Sequence, residues 1–205
     1  MAIDKVQKAN AAFYNKHAID WTSQKSDSFY AEKQFRQFVS LFKTGDAIID
    51  IGCANGNAVP LFVGIGSKLK YEGADISSAL LKIAKSRYPN FNFYKSNILD
   101  RFTLPKKKYD GFWAAAILQH IPDSDWPVML SNIEKITKKG GVGYISLPES
   151  RLSTLSEIDS RHFNLFTKSK FRSIVSSRKW TIVKSGILPA VRSGTIWRWF
   201  IVKLP

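Results

Sequence analysis

The segment Ala47–Phe62, AIIDIGCANGNAVPLF, ends an apolar run on Asp50 and turns at once through Gly52 and Gly56. An acid and two glycines between a buried strand and a helix make a loop whose backbone N–H groups can meet a polar ligand. A dinucleotide fingerprint needs Gly-x-Gly-x-x-Gly, so that the backbone can approach a pyrophosphate. Ala54 and Asn57 stand where its second and third glycines belong, so pyrophosphate binding is not expected. Asp75 follows Gly56 by nineteen residues and ends the next apolar run, where a carboxylate can accept two hydrogen bonds from a ribose 2′,3′-diol. A nucleoside without phosphates satisfies both observations. His120, in LQHIP after a later apolar run, is the one serious candidate for a general base.

These residues need a scaffold, and the chain shows one. Short apolar runs alternate with segments of helical period. Residues 4–42 read as mainly helical, with Phe35, Phe38, Val39 and Phe42 as an inward stripe. Strands are predicted at 47–52, 71–76, 91–96, 110–116 and 142–147, and helices at 55–63, 77–87 and 123–138. Pro127 fits the last helix only in its first turn or as a break after a short preceding turn. A helix at 168–177 leads to two final strands, WTIVKSGI and TIWRWFIVKL. Their link, LPAVRSG, is too short for a crossover helix, so they should pair as an antiparallel hairpin. The expected fold is α/β: a doubly wound, mostly parallel seven-stranded sheet closed by a C-terminal antiparallel hairpin.

Four of these segments, taken in order between about Ala47 and Pro148, resemble the class I S-adenosylmethionine-dependent methyltransferases, particularly their small single-domain members. DIGCANGN (50–57) is similar to the family's first motif, with Ala54 replacing its usual middle glycine. GADISSALLKIAK (73–85) is similar to the second, whose acid binds the ribose, and YKSNILD (94–100) places Asn97 where the family often has an acid contacting the adenine amino group. YDGFWAAAILQHIPD and ITKKGGVGYISLP look like the fourth strand with its His segment and the Gly-Gly turn before strand five. The resemblance implies a Rossmann-like fold, S-adenosyl-L-methionine as cofactor and S-adenosyl-L-homocysteine as product. It implies a cofactor site of Asp50, Gly52, Cys53, Ala54, Gly56, Asp75, Ile76, Asn97, Ile98 and Ala114. Tyr14, Trp21 and Trp113 are placed on the acceptor side or in a lid.

Each assignment has a plainer counterpart. Gly52 and Gly56 can serve only a tight turn, and Asp50 can orient the loop without touching a ligand. Cys53 reads as a small packing residue, since transfer from a sulfonium needs no enzyme nucleophile. His120 either moves a proton or hydrogen-bonds a backbone carbonyl and shapes the pocket. Tyr14, Trp21 and Trp113 can equally be core.

Composition narrows the setting. The 205 residues suit one domain, divided as a helical cap or lid (1–45), a cofactor-binding core (46–148) and a closing helix and strands (149–205). A lone Cys53 and the scattered His17, His120 and His162 make no disulfide and no metal cluster, so a reduced, cytoplasmic setting without metal is expected. No signal-like or membrane-length apolar run is present, so no membrane partner is expected. The formal charge of +15 is concentrated late: after Asp159 there are ten basic residues and no acid. That field favours a polyanion such as RNA bound through 160–205, with Trp180, Trp197, Trp199 and Phe200 interleaved, or else is a solubilising face. Three functions therefore stand: a small-molecule methyltransferase with a nitrogen or oxygen acceptor, anionic acceptors included; an RNA methyltransferase; and a non-catalytic partner-binding protein that kept the fold.

Overall fold

A computed structural model describes residues 5–24, 32–150, 161–189 and 196–205. The link between the last two strands, Arg192, and residues 25–31 of the proposed cap lie outside them.

The buried run Ala47–Ile51 forms β1, the centre of a seven-stranded sheet. It pairs in parallel with β2 (Lys70–Asp75) on one side and β4 (Tyr109–Ala115) on the other. β3 (Asn92–Lys95) extends the sheet beyond β2, and β5 (Thr137–Ser150) lies parallel to β4. The closing strands are β6 (Thr181–Pro189) and β7 (Ile196–Lys203). They pair antiparallel, as their short link requires, and β7 inserts between β5 and β6 to give the order β3-β2-β1-β4-β5-β7-β6.

Period-2 alternation sorts the apolar side chains into two cores, one per sheet face. Ile48, Tyr71, Phe93, Trp113, Tyr144 and Ile201 point one way, toward α3 (Glu32–Val39), α4 (Val59–Gly64) and α5 (Ser78–Arg87). Ile49, Ala74, Phe112, Ile145 and Phe200 point the other way, toward α6 (Trp126–Ile136) and α7 (Lys168–Ser177). Local signals set the helix starts: Ser77 accepts from the Leu80 N–H at 3.2 Å, and Thr167 from the Lys170 N–H at 3.2 Å. Pro127 falls in the first turn of α6, after a 3₁₀ turn at Asp123–Asp125, so both readings of that proline hold together. Two further helices, α1 (Lys5–Lys16) and α2 (Ala18–Gln24), precede α3, with α1 lying against α5.

Two boundaries differ from expectation. α4 begins at Val59 rather than Asn55, because residues 52–58 are consumed by a turn in which Gly52 (φ +77°), Ala54 (φ +50°) and Gly56 (φ +81°) are left-handed. β5 runs from Thr137 rather than 142, since it starts directly after α6 and its ladder with β7 extends to Ser150.

The face toward α3 is an aromatic cluster: Trp113 stacks on Tyr144 at 3.8 Å, and Phe38, fully buried, sits 5.4 Å from Trp113 and 4.8 Å from Phe42. Phe38→Ala is expected to cost about 3–5 kcal/mol of stability, measured by denaturant unfolding, because this cluster cannot close over the void.

Candidate functional site

The chain leaves β1 and β4 toward opposite sides of the sheet, opening a crevice at their carboxyl ends, where doubly wound sheets bind ligands. The turn after β1 forms one wall. The N–H groups of Gly52 and Cys53 both donate to the Ala74 carbonyl, at 2.7 and 3.1 Å, tying the turn to β2. A Cβ on Gly52 would lie 2.6 Å from the Ile117 side chain, so the glycine serves close packing as well as its positive φ. Asp75 finishes the tie: its Oδ2 accepts from the Ala54 N–H at 2.9 Å and its Oδ1 from the Ser77 N–H at 2.7 Å. Burial nevertheless pushes its carboxyl above the ordinary value.

Of the residues named from sequence, Asp50, Gly52, Cys53, Ala54, Asp75, Ile76, Asn97, Ile98, Tyr14, Trp21, Trp113 and His120 all line this cleft. Gly56 and Ala114 do not. Gly56 turns the loop against the Tyr88 ring, where a Cβ would meet ring carbons at 2.8 Å, and Ala114 is fully buried in the core facing α6. Its neighbours Ala115 and Ala116 line the cleft instead, Ala116 at a φ of +57°. Asn97 folds its Oδ1 onto the Leu99 N–H at 3.0 Å, and α6 fixes the following residue through Asn132 Nδ2 to the Ile98 carbonyl at 2.8 Å.

Asp50 is buried and accepts from the Tyr71 hydroxyl at 2.9 Å. Burial, with a smaller contribution from the Asp75 charge, pushes its carboxyl up to about 7. Burial likewise raises the Cys53 thiol, with Asp75 and Asp50 adding to it, so the thiol stays protonated and packs as a small apolar group.

The N-terminal helices supply residues that sequence reasoning passed over. Gln7 and Asn10 are buried and donate to the His120 carbonyl at 3.3 and 3.0 Å. Asn10 also accepts from the His162 N–H, Asn15 from the Ser77 hydroxyl at 2.8 Å, and Thr22 from Asn55 at 3.0 Å. The signal was there: Gln7, Asn10 and Tyr14 recur at helical spacing. His120 Nδ1 lies 2.8 Å from the His162 carbonyl oxygen, which fixes the neutral ring with its proton on Nδ1. Nε2 is then an acceptor, and the Tyr14 hydroxyl sits 2.9 Å from it. Arg161 donates to the same hydroxyl at 2.7 Å and lies over the rings of Phe13, Tyr14 and Trp21.

Among the described residues of the basic C-terminal third, Trp180, Trp199 and Phe200 are buried and Trp197 is half-buried. Lys170 pairs with Asp123 at 2.7 Å, Arg178 with Glu134, and Arg198 with Glu149, so part of the charge is matched by acids from earlier in the chain. Lys179, Lys184 and Lys203 are exposed. Among the described residues no helix is long and apolar enough to cross a membrane.

Comparison with known proteins agrees with this architecture. Residues 48–141 match the family model described as a methyltransferase domain. The trans-aconitate 2-methyltransferase of Rhodopseudomonas palustris (strain BisB18) is 28% identical over 106 residues, half of this chain and 39% of that protein. The chain thus spans less than half the length of the curated relatives it matches. Magnesium protoporphyrin IX methyltransferase from Synechocystis PCC 6803, solved with bound S-adenosylhomocysteine, superposes with a TM-score of 0.78 over 98% of this chain and 100% of that one, at 16% identity. The Burkholderia thailandensis 1,6-didemethyltoxoflavin-N1-methyltransferase, solved with bound 1,6-didemethyltoxoflavin and S-adenosylhomocysteine, gives 0.79 over 100% and 92%, at 14% identity.

The buried Asp50 makes stability pH-dependent. Its carboxyl, near 7 when folded, titrates near 3.9 in the unfolded chain. Between these values the folded state holds the extra proton, so this contribution is full below about 4 and is lost as pH rises through about 7. Thermal unfolding of the ligand-free protein should therefore show Asp50→Asn gaining on wild type from pH 5 to 8, by on the order of 3 kcal/mol.

Proposed function

We propose that this chain, whose residues 48–141 match a family model described as a methyltransferase domain, is an S-adenosyl-L-methionine-dependent methyltransferase acting on a nucleophilic nitrogen or oxygen of a small-molecule acceptor. The observation that carries this reading is the cleft at the carboxyl ends of β1, β2 and β4, which gathers the left-handed turn, Asp75 and the His120 segment onto one surface. Its residues fit such a cofactor: the turn after β1 lines the cleft through Gly52, Cys53 and Ala54, and a buried carboxylate stands at the end of β2. The bound cofactor supplies a methyl group already activated on a sulfonium, with S-adenosyl-L-homocysteine as product.

The protein's own part is to bind, align and exclude water. Asp75, held rigid by two backbone donors, is assigned to the ribose hydroxyls, and Asn97 and Ile98 to the adenine end. The cap helices, bonded to the Ser77 turn and to the His120 carbonyl, close the cleft from above the sheet and shield it from water. The acceptor proton is assigned to Tyr14 rather than to His120 itself, a reading supported by the Tyr14 hydroxyl lying 2.9 Å from His120 Nε2. As the acceptor's proton reaches the Tyr14 oxygen, the phenolic proton passes to Nε2, and the His162 carbonyl steadies the imidazolium through Nδ1–H. Arg161 favours the phenolate and puts positive charge beside the aromatic wall, which suits an anionic acceptor. A small acceptor is supported by the substrates that the two structural neighbours are named for and by the burial of Trp180, Trp199 and Phe200.

Calorimetry should find micromolar binding of S-adenosylmethionine, and Asp75→Ala should raise Kd by about one to two orders of magnitude. Unaltered affinity in folded Asp75→Ala would remove the ribose assignment. With an identified acceptor, Tyr14→Phe and His120→Ala should each lower kcat by about 10²–10⁴-fold while cofactor Kd moves little. If kcat holds in both, the pair only shapes the pocket and alignment alone drives transfer.

A further inference from the structure

The fold lines up part of the chain's positive charge. Six adjacent strands, from β2 across to β6, each have a lysine at the end away from the cleft. Lys70 opens β2 beside Ala47 of β1, Lys43 stands in the turn that leads into β1, and Lys108 directly precedes β4. Lys138 and Lys139 follow the first residue of β5. Lys203 ends the antiparallel β7 opposite Val142 and Thr181, and Lys179 stands two residues before β6. All of these lysines are exposed.

Two acids lie among them, and both are committed to the fold. Asp46 accepts from the Lys43 N–H at 3.0 Å; Asp110 accepts from the Ala47 N–H at 2.9 Å and pairs with Lys138 at 2.7 Å. Glu72 and Glu134, on the elements alongside, are matched by Lys107 and Arg178. The lysines of the row other than Lys138 form no ion pair with a described residue. Neighbouring strands are about 4.8 Å apart, so the row is about 24 Å long and adjacent charges sit inside the Debye length of about 8 Å at physiological salt. Their potentials add, and the same closeness makes them repel one another, which costs stability. Solubility requires net charge, not its alignment along one edge.

We infer that this amino edge of the sheet is a docking surface for the phosphate backbone of a nucleic acid, bound without regard to sequence. A row one lysine deep and six strands long matches a linear polyanion rather than the plane of a bilayer. The aromatic residues that follow Lys70, Lys108 and Lys179 in the chain, Tyr71, Tyr109 and Trp180, are buried, so they offer no ring for a base to stack on, and the row reads phosphate alone. Strand β1, five residues long, separates this edge from the cleft by about 16 Å. Docking therefore leaves the cleft open: the nucleic acid holds the protein in place and is not its methyl acceptor. The inference stands apart from the cofactor assignment.

Fluorescence anisotropy of the purified full chain with a labelled DNA duplex of about 20 base pairs, and with the RNA duplex of the same sequence, tests this. Wild type should bind with Kd around 10⁻⁴–10⁻⁶ M at physiological salt, and more tightly as salt falls. The triple variant Lys108→Gln, Lys139→Gln, Lys203→Gln should weaken binding at low salt by at least about tenfold. It should also make the slope of log K against log[salt] shallower by about 2–3, since each phosphate neutralised contributes about 0.9. Lys43→Gln, Lys70→Gln, Lys179→Gln, drawn from the same row, should do likewise. Lys82→Gln, Lys168→Gln, Arg172→Gln removes as much charge from α5 and α7 and should change Kd by less than about threefold. Because the row repels itself, both row variants should unfold at or above the wild-type temperature, which separates lost binding from lost folding. A preference between the two duplexes identifies the polymer. The inference is overturned if wild type ignores both duplexes at low salt, if row and control variants lose affinity equally, or if affinity depends strongly on duplex sequence. Tighter binding to vesicles of phosphatidylserine and phosphatidylcholine than to either duplex overturns it as well.

Discussion

Everything at this site hangs on the two hydrogen bonds that Asp75 accepts. One ties it to Ala54, in the turn that leaves β1; the other to Ser77, at the start of α5. A single buried carboxylate thus fastens the end of β1, the end of β2 and the first turn of the next helix into one rigid corner. Its desolvation opposes this, and the backbone donors offset much of the cost. The left-handed conformation at Ala54, unfavourable by about 1–2 kcal/mol for a residue with a Cβ, persists because that corner holds it.

The scaffold was largely legible from the chain, for a physical reason. β1 and β4 are covered on both faces, so their apolar runs are nearly continuous, and the helices between them carry the other period. The short link before β7 left an antiparallel partner as its only option. Boundaries moved where backbone conformation outweighed side-chain pattern: the letters of residues 55–58 are compatible with helix, but the positive φ values at Gly52, Ala54 and Gly56 delay α4 to Val59. Twelve of the residues named for the site gather on the cleft, since a residue at the carboxyl end of a parallel strand has little choice of where to point. Ala114 shows the limit of that rule, because alternation sends it to the core while its neighbour Ala115 faces the cleft.

What escaped sequence reading was long-range and polar. The acids that pair with Lys170, Arg178 and Arg198 lie 47, 44 and 49 residues away, so a segment without acids looked like an open field of charge. The inward face of α1 was missed for a related reason. A search for the apolar stripe of an amphipathic helix passes over one whose buried positions are Gln7 and Asn10.

That face sets how the cap can move. Two packed apolar surfaces tolerate a sliding error of a turn, because contact is non-directional and one methyl replaces another. Amide groups aimed at a carbonyl do not. A displaced α1 would leave Gln7, Asn10 and the His120 carbonyl without partners, which costs more than the bonds contribute when made, whereas complete departure lets water satisfy all of them. Intermediate positions are therefore the expensive ones. The helix behaves as a latch with two settings, fully seated or fully away, and each return brings Tyr14 back to the same place beside the imidazole of His120.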